Sequence, residues 1–67
     1  MRWAWILSNV DGIVCAFDSD PTKEEILDTI NHYHGEYGKI IANSSDVYTW
    51  QGEDQIVEYT MFKADLL

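Results

Sequence analysis

Positive charge is what this sequence has least of. Four Lys and Arg stand against twelve Asp and Glu, a formal net charge of −8 on 67 residues. A field of that sign and density repels nucleic-acid phosphates and anionic bilayers, which argues against direct binding to either, and it favours encounter with basic protein surfaces. Cysteine is nearly absent as well. Cys15 stands alone, so no disulfide can close within the chain, and an isolated cysteine suits a reducing cytoplasm. No apolar run comes near the roughly 20 residues of a membrane helix. The N-terminal run from Trp3 to Leu7 is ended by Ser8, Asn9 and Asp11 before it reaches the length of a signal-peptide core. A cytoplasmic protein is expected, folded as one domain over residues 1–67.

Recognisable motifs of chemistry are missing too. Ser8, Ser19, Ser44 and Ser45 lie in turn-like stretches without a nucleophile-elbow pattern, and the glycines are scattered singly, with no phosphate-binding loop. His32 and His34 are two apart, which on a helix points them in different directions, whereas helical zinc sites use spacings of three or four. Asp18 and Asp20 resemble the start of an acidic calcium loop, but Pro21 replaces what such a loop requires next. Cys15 sits among Ile13 and Phe17 without a basic neighbour to activate it, and reads as a small core residue. No catalytic residue, metal ligand or cofactor is expected.

What is present is a regular alternation of apolar segments and turn signals. Trp3 to Leu7 reads as a strand, Asn9-Val10-Asp11-Gly12 as a tight turn, and Ile13 to Phe17 as the returning strand, with Ile13, Cys15 and Phe17 on one face. Asp20-Pro21 predicts a helix start with Asp20 as N-cap, since proline fits the first helical position and the carboxylate can accept from orphan N–H groups. Thr22 with Glu25 offers a weaker, alternative capping box. Gly35 predicts the stop. Between them Ile26, Leu27, Ile30, Tyr33 and His34 share one side, opposite Glu24, Glu25, Asp28 and His32. Lys39 to Asn43, Val47 to Trp50 and Gln55 to Lys63 read as three more strands. The expected fold class is α+β, two layers in the order β-β-α-β-β-β, with one amphipathic helix on an antiparallel or mixed sheet.

Two surfaces stand out as candidates. Glu24, Glu25 and Asp28 make an acidic helix face in which Glu24 and Asp28 repel at i, i+4, a local cost that folding does not explain; Glu53 and Asp54 are expected at its rim. Nine aromatics are many for a core under one helix, and Tyr48, Trp50 and Tyr59 share parity across the last hairpin. One helix cannot cover both faces of five strands, so the face carrying these three is expected not to be fully covered by the helix and to form an intermolecular contact. The bland reading of both surfaces is a solvated helix face and ordinary core packing.

The function expected from these features is a small acidic protein-binding module that occupies a basic or nucleic-acid-binding surface of a larger protein. Size, acidity and the lack of catalytic motifs resemble in character an inhibitor or anti-defence protein of phage type. The alternatives are a homo-oligomeric accessory protein, paired as a homodimer through the uncovered sheet face with acidity serving solubility, and a small enzyme whose cleft forms at a dimer interface.

Overall fold

Turn chemistry lays the chain out as five strands and one helix. The computed structural model describes residues 2–66; Met1 and Leu67, the ends of the expected domain, lie outside them. Strand β1 (Arg2–Asn9) turns through Val10 and Asp11 into β2 (Gly12–Phe17). The turn closes because the Asn9 side chain accepts from the Asp11 N–H at 2.8 Å and Gly12 takes a φ of 124°, which only glycine adopts without strain. Helix α1 (Lys23–His34) follows, then β3 (Lys39–Ser44), β4 (Val47–Gln51) and β5 (Ile56–Leu66). The strands form one antiparallel sheet in the order β2-β1-β5-β4-β3, so the first and last strands pair at its centre and β2 and β3 are its edges.

The helix ends at Gly35 as expected, with φ 71° and its N–H bonded to the Asn31 carbonyl at 2.8 Å. Its start differs from the expectation. Thr22, not Asp20, is the N-cap: its hydroxyl accepts from the Glu25 N–H at 3.1 Å and its own N–H donates to Glu25 Oε1 at 2.8 Å, a complete capping box. Asp20 is drawn away because its Oδ1 accepts from the indole N–H of Trp5, fifteen residues earlier.

Register assigns the faces, since residues opposite one another in an antiparallel pair point the same way. Leu7 with Met61, Tyr48 with Tyr59, Trp50 with Val57, and Ile40 with Trp50 lie on the side that α1 covers. Their side chains pack with Ile26 and Ile30 of the helix to form the core, with Leu27, Val14 and Phe17 at its margin. Fully burying residues of this kind stabilises by about 1.5–3 kcal/mol each, so a handful of them accounts for the cohesion of so small a chain. The opposite side carries Ala4 with Ala64, Ile6 with Phe62, Ser8 with Thr60, and Thr49 with Glu58. Among the described residues no helix lies over it.

This assignment corrects the expected face. Trp50 and Tyr59 are 0% exposed and Tyr48 is half-buried, so the aromatic set lies beneath the helix and the uncovered side is the other one. A second correction falls on β2. Val14 is an extra residue in the ladder: Cys15 pairs with Leu7 but Ile13 pairs with Ser8. The bulge therefore turns Ile13 out of the face of Cys15 and Phe17, and its side chain is exposed.

Candidate functional site

The acidic helix face is built as the 3.6-residue period requires. With Ile26 and Ile30 turned into the core, Glu24, Glu25 and Asp28 are all exposed. They are not equivalent. The Glu25 carboxylate is engaged by the Thr22 N–H in the capping box, which leaves Glu24 and Asp28 as the outward pair. Acidic groups in the first turn favour the positive end of the helix dipole, so Glu24 is stabilised locally, while Asp28, a turn further on, gains little.

Asp28 continues the acidic face into a groove. A depression of about 500 Å³ opens at the C-terminal end of α1, lined by Asp28, Asn31, His32, Glu36 and Tyr37 among others. Tyr37 is 97% exposed. An aromatic ring standing free in water beside two carboxylates is suited to insertion between the cationic side chains of a partner, where ring face and carboxylate both attract positive charge. Of the expected rim residues, Glu53 is drawn to this end of the molecule, its N–H donating to Glu36 Oε1 at 2.9 Å. Asp54 is exposed.

The loop that presents Tyr37 is held from beneath by Asn31. Its Oδ1 accepts from the Gly38 N–H and from the Trp50 indole N–H, both at 2.9 Å. One amide thus joins helix, loop and core. Gly38 and Gly52 complete the clasp, because a Cβ at either would overlap the Trp50 indole. The Trp50 ring is stacked on its other neighbour, His34, with centroids 4.2 Å apart, and His34 Nε2 pairs with the Tyr59 hydroxyl. Burial raises the Tyr59 pKa above its ordinary value, helped by the nearby Tyr33 and Asp11 and opposed by a hydrogen bond from Asn9.

Three of the six residues expected at a partner surface therefore meet solvent together, namely Glu24, Glu25 and Asp28. Trp50 and Tyr59 are instead the internal support of the groove, and Tyr48 sits at the other end of the core. The aromatic residue most open to solvent among the described residues, and passed over by sequence reasoning, is Tyr37. Its signal was its place between Gly35 and Gly38, where a large ring has no strand or helix to pack in. Among the described residues, no three His, Cys, Asp or Glu side chains gather in an arrangement that could hold a metal ion, and no helix is long and apolar enough to cross a membrane. Comparison with protein families, with curated proteins and with solved structures finds no match to this chain.

Proposed function

We propose that this chain is a small acidic protein-binding module that acts in the cytoplasm without catalysis, in the manner of an inhibitor that occupies a basic surface of a larger protein, such as one evolved to hold nucleic acid. The observation that supports it best is the continuity from the outward pair Glu24 and Asp28 into the groove with Glu36 and the free ring of Tyr37. Charge attracts and orients a basic partner over the range of a Debye length, and an exposed aromatic supplies the short-range anchor that charge lacks. Capture of basic proteins from lysate at low and high salt tests it, with the Glu24→Lys, Asp28→Lys double variant as control. Salt-sensitive capture that the reversal abolishes supports the module; capture indifferent to both salt and reversal rejects it.

A second reading has its own observation. The uncovered sheet face sets Ile6 against Phe62, which is 43% exposed, beside Ala4 and Ala64. Of the two carboxylates in the strands, only Glu58 shares that face, since Asp65 pairs with Trp3 on the helix side. A face so poor in charge on a protein this acidic fits a second copy of itself better than a basic target. Light scattering decides: a concentration-dependent dimer lost on Phe62→Glu supports self-association, and a monomer at all concentrations ends it.

A further inference from the structure

The helix is short for the sheet it covers. Twelve residues of helix span about 18 Å, whereas the eleven residues of β5 span about 37 Å. Beyond the first turn of α1, the helix-side face of the sheet is therefore roofed only by the loop at Asp20 and Pro21, and a cavity of about 200 Å³ opens there. Two aromatic residues, Trp5 and Tyr48, line it together with two acidic residues, Asp20 and Asp46, and with Pro21 and the apolar Ile26 and Met61.

We propose that this cavity is a cation pocket that takes the guanidinium of an arginine side chain on a protein partner, an inference that rests on the reading of this chain as a module for basic proteins. The chemistry of the lining selects the ligand. Two carboxylates repel an anion, and the nearby helix N-terminus is already satisfied by the Thr22–Glu25 capping box. An apolar floor with aromatic walls disfavours a small, strongly hydrated ion. A guanidinium suits all three elements: it is planar, weakly hydrated, stacks on aromatic rings and donates to carboxylates through a fork of N–H groups.

The same aromatic group already shows its affinity for positive charge. The Lys63 ammonium lies 4.3 Å from the centre of the Trp3 ring and 5.8 Å from that of Trp5, whose rings meet edge to face. The walls are also held in place before any ligand arrives. Asp20 fixes Trp5 through the indole N–H, and accepting through Oδ1 leaves its charge to act on a ligand. The backbone of Asp46 is anchored by its carbonyl, which accepts from the Met61 N–H at 2.7 Å, beside Ser45 in the left-handed conformation at φ 56°, while its exposed side chain stays free to turn toward a ligand. A pocket with fixed walls loses little ordering entropy on binding.

Heteronuclear NMR titration with the capped tripeptide acetyl-Gly-Arg-Gly-amide, against the same peptide carrying neutral citrulline in place of arginine, tests the assignment. The arginine peptide should shift the Trp5 indole and Met61 methyl signals saturably, and the citrulline peptide should not. Asp46→Asn, a change on an exposed turn, should weaken the arginine peptide about three- to fivefold. Asp20→Asn, which keeps an acceptor for the indole, should do the same. Equal shifts from both peptides, or a silent Trp5 at saturating arginine peptide, overturn the pocket. Shifts confined to Glu24, Asp28 and Tyr37 also overturn it while leaving the acidic-module reading standing, and loss of salt-sensitive capture in lysate would remove that reading separately.

Discussion

His34 lies flat on Trp50, with ring centroids 4.2 Å apart and planes within 7° of parallel. The last turn of the helix is thereby bonded to the largest side chain of the sheet, and the loop carrying Tyr37 is closed over both by Asn31. Trp50→Ala should therefore destabilise the fold by about 3–5 kcal/mol, close to the whole stability of a domain this size. Chemical denaturation monitored by circular dichroism checks this; a variant that keeps the wild-type midpoint would show that the ring is not part of the core.

Cap exchange offers a sharper test of the helix start. Thr22→Ala should cost about 1 kcal/mol through loss of the capping box. Asp20→Ala should leave helix content unchanged and alter the near-ultraviolet signal of Trp5, whose indole loses its acceptor. The two variants compared by far- and near-ultraviolet circular dichroism should show opposite patterns, and a greater loss of helicity in the Asp20 variant would restore the first proline-based assignment.

Alkaline pH should unfold the protein through Tyr59. Its pKa is raised from the ordinary 10.0 by burial, so the folded state holds the phenolic proton more tightly than the unfolded chain. The stability this contributes is fully present below pH 10.0 and is lost as pH rises from there through the raised folded value. Melting temperature followed across that interval should fall, and Tyr59→Phe, which has no proton to lose, should flatten the decline.

Charge reversal separates attraction from folding. Glu24→Lys with Asp28→Lys should slow association with a basic partner and weaken its salt dependence. Both positions are exposed, and the melting temperature should stay close to the wild-type value because exposed charges contribute little to stability. Stopped-flow association at two ionic strengths reads the effect; rates that respond to neither change would reduce the acidity to a solubility feature.

Local signals were legible in the chain and non-local ones were not. The Asn9–Gly12 turn, the Gly35 stop and the inward line of Ile26 and Ile30 each depend on residues within one or two turns of each other, and each appears where the pattern put it. The observed cap had a local signal in Thr22 and Glu25, but the contact that draws Asp20 away comes from Trp5, fifteen residues earlier, and the bulge at Val14 depends on how β1 happens to pair; neither of these two has a local signature. The reversed sheet face is a different kind of miss. Parity correctly grouped Tyr48, Trp50 and Tyr59, but period-two spacing says only that residues share a side, not which side the helix takes. The deciding clue was the opposite parity, where Thr49, Gln51, Glu58 and Thr60 form the polar set that solvent accepts.

The pairing of β1 with β5 has a consequence for how the molecule comes into being. Arg2 faces Leu66 across the centre of the sheet, so the central ladder joins the two most distant parts of the sequence. A nascent chain that has emerged through β4 holds two hairpin-sized fragments and a helix with nothing to join them; Leu7 has no Met61 and Trp50 no Val57. Folding must wait for the last strand and then close the largest loop available to it, the slow kind of step in a small protein. Until that moment the edges of β1 and β4 that β5 will fill stand open, in addition to the outer edges of β2 and β3 that remain edges of the finished sheet, which makes the interval between synthesis and closure its period of greatest exposure to aggregation and proteolysis.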